Sequence, residues 1–322
     1  MIDEKDVKVN RILTIYSKLV HGEIVNKREM AELFNVNKKT IQRDLDDIRA
    51  YFYYSREIQG AKDIIYKRDK KGYFLDNRDD VLTKEDILSI TKILLESRAF
   101  CREELKHLTN SILVQVDNVQ RKYIKDIVGN ELLNYVPLMH SDFLLSKIWD
   151  LSELIRSKEL TQITYIKIDG MEVKRIVKPV AIIFSEYYFY LIAYFNDFDS
   201  PTVFRVDRIK AYKIVGEKFY IPSAGRFEDG EFRKRVQFMY AGKLMKIKFE
   251  FTGSSIDAVL DKLPTARIIE SLENKFIVEA EVYGKGIMMW LLSQGKNIRV
   301  ISPDDFCKDI ITEINQMREL YK

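Results

Sequence analysis

The sequence predicts a multidomain α+β protein, helical over its first half and rich in strands from about residue 160. Three observations carry this. Apolar residues recur at spacings of three and four through much of residues 7 to 158, β-branched and aromatic residues crowd into short runs between residues 160 and 221, and strand-like and helix-like segments alternate from Phe232 onward. At 322 residues the chain is about twice the ~150 of a soft one-domain prior, so two to four domains are expected.

Composition narrows the function. With 46% hydrophobic and 32% charged residues, the chain has the make-up of an ordinary soluble protein. No apolar run approaches the roughly 18 to 20 residues that span a bilayer, and the opening MIDEKDVKVN lacks the apolar core of a secretion signal. A cytoplasmic location and no membrane partner are expected. Cys101 and Cys307 belong to no CxxC or Cys/His cluster and are read as reduced thiols, while His21, His107 and His140 are scattered, with no HExxH. No cofactor and no metal site are therefore expected. There is no Walker loop, no nucleophile elbow and no cluster of metal-binding carboxylates, which argues against an enzyme such as a nucleotide hydrolase.

Charge is unevenly placed. Residues 1 to 75 hold 16 Lys/Arg against 12 Asp/Glu and the remaining 247 hold 37 of each, so the whole net charge of +4 sits in the first quarter. That quarter is the segment expected to meet a polyanion.

Each element follows from its own residues. Val9, Ile12, Leu13, Tyr16, Leu19 and Val20 form the apolar stripe of a first amphipathic helix. Asn26, with Glu29 three positions on, reads as the cap of a short second helix that ends at Phe34, and Asn37 caps a third that begins at Lys38. Ile64 to Arg68 and Tyr73 to Asp76 then flank a basic, glycine-containing turn, the pattern of a β-hairpin. Three helices and a basic hairpin make a winged helix-turn-helix, assigned to residues 1–77. Residues 78–140 read as a helical linker and dimerisation region, with Thr83 as a cap.

A helix expected from Ser141 to about Lys158 leads into four or five antiparallel strands separated by Asp-Gly, Asn-Asp and Val-Gly turns; together they form a domain over residues 141–222. A sheet of this size is expected to close into a small barrel or to roll up to protect its edges. Residues 230–322 repeat β-then-α segments and are expected to form a C-terminal α+β domain, whose last helix opens with Ser302 as cap and Pro303 at its first position.

The third helix carries the sharpest signal. In NVNKKTIQRDLDDIRAYF, Ile41, Leu45 and Ile48 lie within about 60° on a helical wheel and point inward, with Lys39 and Arg43 almost opposite. Asp44, Asp46 and Asp47 occupy later turns, so only the N-terminal end of the helix suits a DNA groove. Arg43 matches guanine O6/N7 and Gln42 adenine N6/N7, whereas Lys38, Lys39 and Thr40 are placed as phosphate contacts. In the hairpin, Lys67, Arg68, Lys70 and Lys71 reach toward the flanking backbone or minor groove.

At this point the chain resembles the WYL-domain transcriptional regulators of bacteria. KKTIQRDLDDI is similar to the recognition helices of their N-terminal domains. Phe189-Tyr190-Leu191 stands for the Trp-Tyr-Leu triplet that names the family, with phenylalanine replacing the indole, and FRVDRI at Phe204 to Ile209 resembles its Phe-Arg-Leu-Asp-Arg-Ile. ITYIKIDG, RIVKPVAI and GIMMWLLSQGKNIRVISP resemble the opening strands and the C-terminal extension. The resemblance implies a Sm-like β-barrel that binds a nucleotide or single-stranded nucleic acid and thereby alters DNA binding. Carried over, it places Tyr190, Arg205 and Arg208 in the ligand site, with Tyr165 and Arg175 from neighbouring strands. Arginines that fork onto phosphate and tyrosines that stack on bases suit that chemistry.

The resulting expectation is a homodimeric regulator that binds a double-stranded DNA operator and senses an anionic effector. Two other readings use the same residues: an RNA- or single-stranded-DNA-binding protein with the barrel as its main surface, and a ligand-independent repressor with a vestigial pocket.

Overall fold

The computed structural model describes residues 4–54, 63–76, 82–140, 142–195, 201–220, 227–240, 242–273 and 275–322, with side chains from Val7 onward. The first helix, α1 (Glu4–Val20), buries Arg11, Ile15 and Leu19 along one face and leaves Val9, Leu13 and Val20 exposed. The inward face is thus turned away from the stripe expected from the sequence, of which only Leu19 is fully buried. The cause is Arg11, an arginine in a core position, which turns inward because its partner Asp44 is there.

The second helix, α2 (Lys27–Leu33), is capped by Asn26, whose side chain accepts from the Arg28 N–H at 2.8 Å. The third, α3 (Lys38–Tyr54), is capped by Asn37, which accepts from the Thr40 N–H at 2.8 Å. Ile41, Leu45, Ile48 and Phe52 of α3 pack with Ile15, Leu19 and Met30, and the hairpin of β1 (Asp63–Lys67) and β2 (Gly72–Asp76) closes the cluster with Ile64 and Leu75. Val25 bridges Tyr73 of β2, so the stretch ahead of α2 runs against the hairpin. Gly72 permits this approach: a Cβ there would lie 2.2 Å from Ile24 Cγ2.

Three further helices follow, α4 (Lys84–Ser97), α5 (Arg102–Leu113) and α6 (Asn118–Leu133). Thr83 and Asp86 form a reciprocal capping box at the start of α4, and Ile87, Leu113, Val116 and Ile124 make a small core of their own. The chain divides into two compact units, Met1–Pro137 and Leu138–Lys322.

The second unit begins with α7 (Leu145–Ser157), followed by β3 (Glu159–Ile166), β4 (Glu172–Ser185), β5 (Tyr188–Tyr194), β6 (Thr202–Arg205) and β7 (Ile209–Lys218), arranged as a five-stranded antiparallel sheet in the order β6-β5-β4-β3-β7. The 14-residue β4 joins the two halves, pairing with β3 through Glu172–Val177 and with β5 through Lys178–Ser185, with a register shift in the second ladder at Pro179/Ala181. The closed barrel expected from the sequence is not formed: among the described residues the edge strands β6 and β7 share no ladder. They are consecutive in the chain and joined by a single 3-10 turn, Val206–Arg208, which lies within FRVDRI.

A short helix unforeseen in the sequence, α8 (Asp229–Arg235), sets Phe232 among Ala181, Ile183 and Ile192. The rest is β8 (Leu244–Phe251), α9 (Ile256–Lys262), β9 (Arg267–Leu272), β10 (Lys275–Tyr283), α10 (Gly286–Ser293), β11 (Ile298–Ser302) and α11 (Asp304–Glu319), with sheet order β11-β8-β10-β9. Its core joins Phe249, Val278, Trp290 and Phe306. At the start of α11 the cap is Pro303 rather than Ser302, because Ser302 is held in β11 opposite Lys248. The expected helix start at Ser141, the boundaries at 77, 78, 141 and 222, and the Asn196-Asp197 turn lie outside the described residues. No helix among the described residues is long and apolar enough to cross a membrane.

Candidate nucleic-acid interface

The start of α3 is positive and open. Lys38, Lys39 and Arg43 are exposed and have no ion-pair or hydrogen-bond partner among the described residues. Thr40 is half-buried and its hydroxyl donates to Asn37 at 3.1 Å, so it completes the cap. Gln42 is engaged at both ends of its amide. Its oxygen accepts from Lys27 at 2.8 Å and from the Tyr73 hydroxyl at 3.3 Å, and its nitrogen donates to Asp46 at 2.9 Å. Reading an adenine with Gln42 would cost those bonds.

The acidic turns that follow are neutralised from within the protein. Asp44 is buried and takes Arg11 at 2.5 Å, Asp46 takes Arg49 at 2.7 Å, and Asp47 takes Lys8 at 3.1 Å. The aspartates therefore serve the fold, and the helix keeps its unpaired cations at the N-terminal end.

The hairpin carries Lys67, Arg68, Lys70 and Lys71, all exposed. Lys67 lies 4.2 Å over the Phe74 ring, and Lys71, at φ 51°, has its carbonyl held by the Asn26 side chain at 3.1 Å. Tyr73 is the joint between hairpin and helices: besides bonding Gln42, its ring has Lys27 at 4.9 Å and Arg49 at 5.7 Å, and Arg49 also donates to the Ile64 carbonyl at 3.0 Å. Sequence reasoning missed Lys27 and Tyr73. A tyrosine in a strand reads as packing, and only the fold sets it against two basic side chains.

In the five-stranded sheet, Tyr190 and Arg205 are direct cross-strand partners on β5 and β6. Arg205 is already engaged, forking onto Asp207 at 2.7 and 3.1 Å with its guanidinium 3.5 Å over the Tyr188 ring. Burial pushes the Tyr190 hydroxyl up to about 12, against the pull of Arg205. Arg208 is half-buried with no partner among the described residues. Tyr165 meets the Phe204 ring edge-on at 5.2 Å, and Arg175 is exposed, donating to the Lys174 carbonyl at 3.2 Å.

Tyr190, Arg205 and Arg208 are thus gathered around one strand end. Tyr165 and Arg175 lie on β3 and β4; Tyr165 reaches that group only through the Phe204 ring beside Arg205 and by pairing with Ile209, and Arg175 has no side-chain contact with it among the described residues. Two neighbours were not foreseen. Lys147 of α7 donates to the Ile209 carbonyl at 2.9 Å and to Asp142 at 3.2 Å, fastening the 3-10 turn. His140 has its ring centroid 6.2 Å from that of Tyr188, and both ring nitrogens are buried with no hydrogen-bond partner among the described residues. No group of three or more His, Cys, Asp or Glu residues able to hold a metal occurs among the described residues.

Residues 148–214 match the WYL domain. The WYL domain therefore spans most of α7 and the five strands, including Tyr190, Arg205 and Arg208. No curated protein matches the chain. Among solved structures, the proteasome accessory factor B/C (PafBC) of Arthrobacter aurescens is 14% identical at a TM-score of 0.33, covering 94% of this chain and 46% of its own. The chain thus spans less than half the length of that protein. A CRISPR Cas-related protein is 14% identical at a TM-score of 0.37, with 76% of each chain covered. Likeness this distant leaves the function to be argued from the WYL domain and from the residues themselves.

Proposed function

We propose that this chain is a sequence-specific DNA-binding transcriptional regulator, non-enzymatic and homodimeric, whose WYL domain senses an anionic nucleotide or single-stranded nucleic acid. On this reading residues 1–77 form a winged helix-turn-helix, residues 78–140 a linker, residues 141–222 a Sm-like sensing domain and residues 230–322 an extension, all acting in the bacterial cytoplasm. One observation carries it: among the described residues α3 leaves Lys38, Lys39 and Arg43 without partners, while Asp44 is paired in the core and Asp46 and Asp47 are paired on the surface with cations of the same chain. A helix used only for packing has no need of that division, whereas a helix whose first turn enters a major groove does.

Arg43 is the candidate base reader. Lys38, Lys39 and the hairpin cations Lys67, Arg68, Lys70 and Lys71 are the phosphate contacts, while Gln42 and Tyr73 hold the hairpin against the helix. In the WYL domain Arg208, without a partner among the described residues, is a candidate cation for a ligand; Arg205 reaches one only by sharing with Asp207. Electrophoretic shift against the DNA upstream of its own gene, with and without short single-stranded oligonucleotides, tests both parts. A retarded band that the oligonucleotide strengthens or weakens supports the reading. No retardation at low salt refutes it.

A second reading has one observation behind it. Arg205 over Tyr188, beside Tyr190, is a cation–aromatic platform of the kind that stacks bases. If this platform were the main surface, single strands would bind the full chain more tightly than duplex, and Arg43→Ala would leave that binding unchanged.

A further inference from the structure

The ring of Tyr188 has three neighbours. Arg205 holds its guanidinium 3.5 Å over the ring, Tyr190 meets it edge-on at 6.2 Å, and His140 lies at 6.2 Å with its ring tilted by 42°. Two of the three are fixed in place. Arg205 is forked onto the buried Asp207, while Tyr190 stands in the β5 ladder between Ile183 and Arg205 and packs on the core around Ile192.

His140 has no such anchor. Both its ring nitrogens are shut off from solvent with no hydrogen-bond partner among the described residues. A neutral imidazole carries one donor and one acceptor, and burying both unmet makes this seat unfavourable relative to water. The backbone adds little support, since residues 138–140 belong to no helix or strand and the side chain of Met139 is fully exposed. Of the groups against Tyr188, His140 is therefore the one whose departure costs the fold least and gives two hydrogen-bonding groups back to solvent.

We infer that His140 is a latch on the WYL ligand site: it occupies the side of Tyr188 in competition with a base, and an anionic single-stranded nucleic acid that engages Arg205 and stacks on Tyr188 displaces it. This rests on the proposed reading of the WYL domain as a nucleic-acid sensor and adds the competitor within the chain that sets its affinity. His140 stands three residues past Pro137, where the first compact unit ends, so its release loosens the chain that leaves that unit.

Fluorescence anisotropy of the full chain with a labelled single strand of about ten nucleotides, beside a thermal melt, tests the latch. His140→Phe keeps a ring in the seat and removes the unmet nitrogens. We expect it to raise the melting temperature by about 2 °C and to weaken binding of the strand about three- to tenfold. His140→Ala removes the competitor and should tighten binding about three- to tenfold without raising the melting temperature. A residue that merely braced the domain would give the opposite sign, weaker binding with alanine. The chain has three histidines, so proton spectra read the displacement itself: adding the strand to wild type should move the Cε1–H resonance that is missing from the His140→Phe spectrum. Wild type that binds the strand no differently from either variant overturns the latch, as does an alanine variant that binds more weakly or a His140 resonance that stays in place. Wild type that binds no strand at all removes the sensor reading, and the latch with it.

Discussion

Arg11 of the first helix donates to Asp44 of the third through Nε at 2.5 Å and a second nitrogen at 3.2 Å, with both side chains buried. This pair ties α1 to α3 at the residue that directly follows Arg43, the last of the cations at its start. It also decides which face of α1 turns inward, and so leaves Val9 and Leu13 on the surface.

Asp44→Ala strands a guanidinium in the core. We expect a loss of about 3–5 kcal/mol in urea unfolding, well beyond a typical surface substitution. Replacing both partners with apolar residues, Arg11→Met and Asp44→Leu, should recover most of it, because the stranded charge rather than the lost attraction dominates.

Arg43 and Lys39 should separate base reading from phosphate contact. Arg43→Ala is expected to weaken operator binding by about 1–3 kcal/mol and to flatten the preference at one base pair. Lys39→Ala should weaken all duplexes alike and make the slope of log K against log salt about 0.9 less steep. Fluorescence anisotropy with matched and scrambled duplexes at three salt concentrations distinguishes the two.

Gln42→Leu removes the acceptor for Lys27 and Tyr73 and the donor to Asp46. It should loosen the hairpin from α3, seen as faster amide exchange in Gly72–Asp76, and lower duplex affinity without altering which base is preferred. A changed base preference would return Gln42 to the role of reader.

In the WYL domain, Arg205→Ala leaves the buried Asp207 carboxylate without its fork and should lower the melting temperature. Arg208→Ala should leave the melting temperature in place and weaken oligonucleotide binding. Calorimetric titration beside a thermal melt checks the pair.

Two tyrosines should titrate late. Tyr190 is pushed up to about 12 by burial, and Tyr212 to about 12 by burial and by its bond to Asp150. The folded state therefore holds these protons in a range where the unfolded chain, near 10, has released them, and stability falls as pH rises from about 10 through 12. Ultraviolet difference titration should show both after the exposed tyrosines, and Tyr190→Phe should reduce the alkaline loss.

The helices and strands were largely legible because periodicity reports burial directly. Asn26, Asn37 and Thr83 cap where their residue types led one to expect. What the sequence hid was pairing across long separations. Nothing local to Arg11 announces its partner Asp44, 33 positions on. The 3-10 turn inside FRVDRI was hidden too, because an arginine and an aspartate two apart give no sign that they clasp each other there. The free cations of α3 were visible as a pattern, but the pairing of the three aspartates behind them was not.

The central claim is that the first turn of α3 meets duplex DNA. The most direct test is binding of wild type and Arg43→Ala to upstream duplex across a salt series, with Arg208→Ala as a control. We expect steep salt dependence for wild type, a selective loss with Arg43→Ala and duplex affinity kept with Arg208→Ala. Equal duplex affinity of wild type and Arg43→Ala, with the loss falling on Arg208→Ala instead, would contradict it.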